Sequence, residues 1–367
     1  MAGNRDSRAK APADIPAEAA TGNGDQPPTL KTIAYLTGLG VTTVSRALKD
    51  APEIAEATKQ RVQLVAKQIG YRPNRAGVRL RTGKTNVISL VLNTEEEMMG
   101  MASEMILGIS QRLSRTPYHL VVSPYFLSDD PMDPIRYVVE TRSADGVIFS
   151  RTEPNDPRVA YLQEHQFPFA SHGRTLAKTP HAWHDFDNFE FARRAVHRLG
   201  ENGRQRIAFL PPPQGLLYCD HMTAGFEQGL AEIYGTELSL RNLHPDLPLA
   251  QIEQAAYELT QSTTPPDGFL VGSGGAAIAV VSGVERGGWQ LGREIDVITK
   301  QTSRYLQWFR PGLQAYYEDI PAAGRALADA LLRHIDGEDP GKLQSLSLPI
   351  DPEENIHEFG ASFQPSS

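Results

Sequence analysis

At 367 residues the chain is too long for one ordinary domain and long enough for two or three. Its composition is that of a soluble protein: 40% of residues are hydrophobic and 22% charged, and no apolar run approaches the length of a membrane span, which argues against an integral helical membrane protein. The net charge is −8, yet residues 28–84 carry 11 Lys and Arg against 3 Asp and Glu, a balance of +8 that leaves −16 for the rest. A compact basic block on an acidic body points to a polyanionic partner for that block alone. The single cysteine, Cys219, excludes an intramolecular disulfide, fits a reducing cytoplasm and lies in no nucleophile motif.

Residues 1–27 are rich in Ala, Pro, Gly and charge and lack the apolar stretch of a secretory signal; they read as a disordered tail. Residues 28–73 read as three helices. Thr29 is a suitable N-cap, Leu30, Ile33, Ala34 and Leu39 follow helical spacing, and Gly38 stands where a helix stops in a left-handed conformation. In "VTTVSRALK" Val44, Ala47 and Leu48 share one face, leaving Val41, Thr42, Ser45 and Arg46 on others. A third helix from about Glu56 turns Val62, Val65, Ala66 and Ile69 inward and ends at Gly70. The first two helices and their glycine turn make a helix-turn-helix. A plain helical hairpin has the same outline. Exposed Thr42, Thr43 and Arg46 in a block of +8 favour contact with phosphates and base edges.

"TLKTIAYLTGLGVTTVSRAL" and "IAEATKQRVQLVAKQIGYRPNRAGVRLRTGKTNVISLVL" together resemble the lactose-repressor (LacI/GalR) family of bacterial transcription regulators. Helix-turn-helix, third helix, Tyr-x-Pro-Asn and a hinge segment occur in the family's order and spacing. The resemblance implies DNA contacts from Thr29, Val41, Thr42, Thr43, Ser45, Arg46, Tyr71 and Asn74. It makes residues 74–84 a hinge helix that forms on operator DNA. There Leu80 would wedge into a minor-groove base step while Arg75, Arg79 and Arg81 hold phosphates or the narrow groove. Gly77 weakens such a helix by about 1 kcal/mol relative to Ala, favouring order only on DNA. One departure is Gly40, where the family usually has a Ser or another side-chain cap for the recognition helix.

From Asn86 on, short apolar runs alternate with helical stretches. Strands are expected at "NVISLVL", "HLVVSPY", "DGVIFS", "FPFASH", "RIAFLP", "GFLVGS", "IDVIT" and "LQAYY", and helices at 102–115, 188–201, 250–262 and 320–335 among others. This is a doubly wound α/β pattern, long enough for two parallel-sheet lobes with "WHDFDNF" as a crossover. The expected fold is an all-α helix-turn-helix headpiece followed by this two-lobed body, residues 85–350, with a tail at 351–367. By resemblance the body is a periplasmic-binding-protein-like sensor. Its ligand, a sugar or sugar derivative, would lie between the lobes at the carboxyl ends of the strands.

"GSGGAA" (272–277) follows a strand and opens a helix, but no acidic residue ends the next strand, so a dinucleotide site is disfavoured. The histidines, among them His172, His181, His184, His221 and His244, lack metal-ligand spacing, and no catalytic set stands out. Neither a cofactor nor an enzyme activity is therefore expected. Met98, Met99, Met101 and Met105 read as flexible core filling rather than as cleft or dimer-seam residues.

Ligand contacts implied by the family pattern fall on Asn93, Tyr125, Ser150, Arg151, His172, Arg174, Met222, Ser273, Lys300 and Gln301. Three usual sugar contacts are replaced: "HMTAGF" stands for an arginine segment, "GSGG" for Asn-Asp and "TKQT" for an aspartate. Arg151, Arg174 and Lys300 would suit a charged or heavily hydroxylated ligand, unless they are surface charges at loop ends. The pairing of two hinge helices implies a homodimer on a near-palindromic double-stranded operator. The tail "DPEENIHEFGASFQPSS" has no leucine heptad of the kind that makes tetramers. A ligand-responsive regulator, a repressor of a carbohydrate uptake or catabolism operon, is thus the expected function. A stand-alone solute-binding protein and a nucleotide-dependent enzyme are the disfavoured alternatives.

Overall fold

The computed structural model describes residues 27–71, 83–93, 100–233, 238–239, 247–303 and 305–352. The tail before Pro27, the expected hinge positions Asn74, Arg75, Arg79, Leu80 and Arg81, Met98, Met99 and residues 353–367 lie outside them. The chain divides into two units, residues 1–85 and 86–367.

In the first unit Leu30–Thr37 forms α1, Val41–Ala47 α2 and Glu56–Gln68 α3. The Thr29 hydroxyl accepts from the Thr32 N–H at 3.3 Å, and the Thr29 N–H donates to the Thr32 hydroxyl at 3.1 Å, which satisfies two otherwise orphaned donors. Gly38 closes α1 at φ 68°. As the sequence suggests, α2 opens on Gly40 with no side-chain cap. Ile33, Ala34, Val44, Ala47, Val62 and Ala66 form the buried core, with Leu39, Leu48, Val65, Ile69 and Tyr71 packed around it. The sequence reading missed Lys59. Its buried stem brings the ammonium 2.7 Å from the Asp50 carboxylate, tying α3 to the turn after α2, where Asp50 is at φ 57°.

The second unit holds two parallel sheets. The first has the order β11-β5-β4-β3-β1-β2, from Val87–Asn93 (β1), His119–Tyr125 (β2), Gly146–Phe149 (β3), Phe169–His172 (β4), Ala182–Phe186 (β5) and Gln344–Ser347 (β11). The second has the order β10-β9-β8-β6-β7, from Ile207–Leu210 (β6), Leu238–Ser239 (β7), Gly268–Val271 (β8), Asp296–Gln301 (β9) and Leu313–Tyr317 (β10). Helices Met101–Leu113 (α4), Asp133–Thr141 (α5), Pro157–Glu164 (α6) and Ile320–Ile335 (α12) belong to the first lobe. Asn188–Glu201 (α7), Leu217–Ile233 (α8), Leu249–Thr260 (α9), Gly274–Arg286 (α10) and Leu306–Phe309 (α11) belong to the second.

Each central strand is buried on both faces, as its continuous apolar run requires. Helix pairs approach closely at glycine: a Cβ on Gly108 of α4 would lie 2.1 Å from the Pro321 carbonyl oxygen of α12. The chain crosses between lobes after β5, after β10 and after β11. These crossings bond to one another or to a neighbouring strand end: Asp187 N–H to the Ser347 carbonyl at 2.9 Å, Tyr317 N–H to the Ile350 carbonyl at 3.1 Å, and Glu318 N–H to the Gln301 carbonyl at 3.0 Å.

Three strands depart from the sequence reading. "WHDFDNF" is not wholly a crossover: its first four residues belong to β5, and the crossing occurs at Asp187, which N-caps α7. His184 and Asp185, read as part of the crossover, stand in this strand with both side chains buried. β7 and β11 are short outer strands, too brief or too polar to carry an alternation signal.

Candidate functional site

The carboxyl ends of β3, β4, β8 and β9 converge with the crossings on a cavity of about 260 Å³ between the lobes. Ser150, Arg151 and Thr152 follow β3, and His172 ends β4. Gly173, at φ 105°, lets Thr152 approach so closely that a Cβ there would meet its hydroxyl at 2.5 Å. Asp185 comes from β5, Asn188 from the first turn of α7 and Glu318 from the crossing after β10. The second lobe supplies Tyr218, Gly272–Gly275, Lys300 and Gln301. Ile278, Tyr305, Leu306 and Phe309, with Met101 of α4, make an apolar side.

Lys300, His172, Glu318 and Asp185 in this wall are matched by partners within the chain. Lys300 Nζ lies 3.0 Å from Glu318 Oε2 and donates to Asn188 Oδ1 at 2.9 Å, with the Phe186 and Tyr218 rings at 5.2 and 5.3 Å. His172 Nε2 is 3.5 Å from the other Glu318 oxygen. Arg174 Nε donates to Asp185 Oδ2 at 2.6 Å. Burial pushes the Glu318 carboxyl up, but the Lys300 charge and the His172 hydrogen bond outweigh it and hold the group down to about 2. His184 stacks parallel to His172 and bonds Ser345 Oγ at 2.8 Å; burial, then the His172 charge, lowers its pKa to about 4. His181, bonded to Ser171 Oγ at 3.0 Å, is lowered to about 4 by burial.

Among the described residues two buried side-chain atoms have no hydrogen-bond partner, Gln301 Oε1 and His221 Nδ1. Gln301 is 3% exposed and lines the cavity. A buried acceptor without a donor costs about 1–3 kcal/mol.

Of the ten expected ligand residues, the cavity brings together Ser150, Arg151, His172, Ser273, Lys300 and Gln301. Ser273 also N-caps α10, accepting from the Ala276 N–H at 3.3 Å. Asn93 and Tyr125 end adjacent strands; Asn93 Nδ2 donates to the Tyr125 carbonyl at 3.3 Å, and neither lines the cavity. Arg174 also stands outside the lining, turned to Asp185. Met222 is fully buried in the second lobe's core because α8 turns that face inward. Lys300 and Arg174 are committed to internal carboxylates, so the expectation of free cations for a charged ligand does not hold for them. Sequence reading missed Asp185, Asn188, Tyr218 and Glu318, whose roles depend on partners remote in the chain. Met101 and Met105 are buried in the core, as expected of that methionine cluster, and Met101 also lines the cavity.

In the first unit Val41 is 42% exposed, and Thr42 and Arg46 are exposed beside it. Thr43 and Ser45 are half-buried, and Tyr71 packs against the core. Arg46 lies 3.6 Å from Glu53, an exposed pair that a stronger anionic partner can displace.

Residues 29–74 match the bacterial regulatory proteins of the lacI family, and residues 196–352 match a periplasmic binding protein-like domain. The HTH-type transcriptional regulator RafR of Escherichia coli is 29% identical over 327 residues, 88% of this chain and 96% of its own length. The regulator AglR of Rhizobium meliloti (strain 1021) is 31% identical over 325 residues, 84% of this chain and 88% of its own. In fold, the lac repressor dimer bound to operator and an anti-inducer superposes with a TM-score of 0.76 at 20% identity, covering 88% of this chain and 97% of that one. A complex of the regulator CelR with cellobiose gives 0.64 at 22%, covering 88% and 98%. With two domain matches in order and a relative at 31% identity along most of both chains, the protein belongs to the LacI family of bacterial regulatory proteins.

Proposed function

We propose that the protein is a ligand-responsive, sequence-specific DNA-binding regulator. In this reading it is a cytoplasmic homodimeric repressor of a carbohydrate uptake or catabolism operon, and its effector is an uncharged, hydroxyl-rich sugar. The observation that carries the effector reading is Gln301, which lines a cavity whose carboxylates are already paired and whose own buried Oε1 has no donor. A sugar hydroxyl supplies the donor, and Tyr305, Leu306 and Phe309 suit the apolar face of a pyranose ring. A sugar acid would meet no uncommitted lysine there. A cellobiose complex of a relative of the same fold supports the class of ligand.

The DNA reading rests on the +8 block and on the outward Val41, Thr42 and Arg46. Thr29, Thr43, Ser45, Tyr71, Asn74, Arg75, Arg79 and Arg81 are proposed as accompanying contacts, and Leu80 as the wedge. The dimer reading is supported by β2, an outer strand whose Val121 and Val122 are exposed, followed by exposed Phe126 and Leu127. A long apolar sheet edge calls for a cover.

Two experiments test this. In a thermal-shift screen, neutral mono- and disaccharides should raise the melting temperature while the matching sugar acids should not, since a ligand that binds only the native state stabilises it. Gln301→Leu should weaken the active sugar about tenfold or more and leave DNA binding without sugar unchanged. Preferential stabilisation by a sugar acid would sink the effector reading. On DNA, Arg46→Ala should cost about 1–3 kcal/mol on the operator and far less on random duplex. Equal losses on both would reduce Arg46 to a phosphate contact and remove its reading role.

A further inference from the structure

Ser150–Thr152, one wall of the cavity, is held by groups behind it. Arg158, in the first turn of α6, and Asp156, the N-cap of that helix, are each 3% exposed. Asp156 accepts from Arg158 Nε at 3.0 Å, from Nη2 at 2.7 Å, from the Arg158 backbone N–H at 2.9 Å and from the Glu153 N–H at 3.1 Å. The guanidinium has donors to spare, and they go to backbone: Nη1 to the Ser150 carbonyl at 3.1 Å and Nη2 to the Arg151 carbonyl at 2.8 Å. Its other support is the Phe149 ring, 4.5 Å away. Arg151 stands at φ 59°, a conformation a non-glycine residue keeps only when its surroundings enforce it. Thr152 then reaches in two directions. Its hydroxyl donates to the Arg174 carbonyl at 2.9 Å, and its carbonyl accepts the Leu217 N–H at 2.9 Å. Leu217 opens α8 in the opposite lobe, where a first-turn N–H has no partner within its own helix.

We infer that Arg158 and Asp156 are a positioning clamp. Together they lock Ser150, Arg151 and Thr152 into one backbone path. That path turns the first two toward the cavity and offers the Thr152 carbonyl to the second lobe. Arginine is needed because only its fork can hold a carboxylate on one edge and two carbonyls on the rest; a lysine can pair with Asp156 but not span all three. The clamp's importance for effector binding rests on the cavity being the effector site. The tether between the lobes does not.

Residue-resolved hydrogen exchange on the full-length protein, without sugar or DNA, tests it. Arg158→Lys should speed exchange of the Leu217 amide about tenfold or more while the core amide of Leu90 in β1 stays unchanged. Because a buried lysine can cost the fold, Asp156→Asn/Arg158→Met is the second variant: it removes both charges at once, so neither is stranded, and Asn still caps α6. The same selective loss at Leu217 is expected. Unchanged Leu217 exchange in a folded variant overturns the proposal. So does equal acceleration at Leu217 and Leu90, or unfolding of both variants, since each assigns the pair to overall stability. With no sugar present, a chain that binds none can still lose protection at Leu217, so the two readings fail separately.

Discussion

Lys300→Met is expected to lower the unfolding free energy by about 3–5 kcal/mol, because it strands the Glu318 carboxylate in a buried site. Glu318 is 5% exposed, and its partners are Lys300 at 3.0 Å and His172 at 3.5 Å. Removing the lysine leaves the desolvation of the carboxylate with little to offset it. Lys300→Met/Glu318→Gln should recover most of the loss, since a neutral amide needs hydrogen bonds but no counter-charge. Urea unfolding of wild type, single and double variants measures both effects. A single variant as stable as wild type would mean that the pair is not a buried one in solution. The pair also has a pH signature. The Glu318 pKa in the folded chain, about 2, lies below its ordinary 4.5. Its stabilisation is therefore complete above pH 4.5 and is lost as pH falls from there toward 2.

A second loss of stability is expected at milder acidity, from His181 and His184. Both are buried, 3% and 8% exposed, and burial lowers each from 6.5 to about 4. The nearest charges are Asp156 for His181, and His172, Glu318, Asp185 and Asp319 for His184. The unfolded chain binds a proton on each imidazole as pH drops through 6.5, whereas the folded chain resists until about 4. Folding is therefore favoured above pH 6.5 and penalised progressively below it, by about 3 kcal/mol per histidine at the lower end. Denaturation midpoints measured at several pH values between 7.5 and 4.5 give the slope. His181→Gln/His184→Gln should flatten that slope whatever its effect on stability at pH 7.5. An equally steep wild-type and variant profile would remove these histidines as its source.

The helix-turn-helix was legible in the sequence because everything that specifies it is local. Thr29 caps the helix it begins, Gly38 ends it after 8 residues, and Val44 with Ala47 and Val62 with Ala66 keep helical spacing on the faces they bury. The central strands were legible for the same reason. A strand buried on both faces must be apolar throughout, so "GVIF", "IAFL" and "GFLV" announce themselves. The basic block, the alternating α/β order and the two-domain plan likewise follow from neighbours in sequence. The cavity does not. Its key pairs join residues on different elements: Lys300 meets Glu318 past the next strand and also Asn188, 112 residues away, and Arg174 meets Asp185 on the next strand. Whether a lysine at a strand end is free for a ligand or neutralised by a carboxylate is a matter of distance, and no periodicity encodes it. Burial is similarly non-local. His184 and Asp185 read as part of a crossover and Met222 as a site residue, and each is reassigned by what packs against it. Short-range pattern thus specifies the elements and their order. The charge balance of the cavity, and with it the chemistry the cavity can accept, arises only when the two lobes close three chain crossings around it.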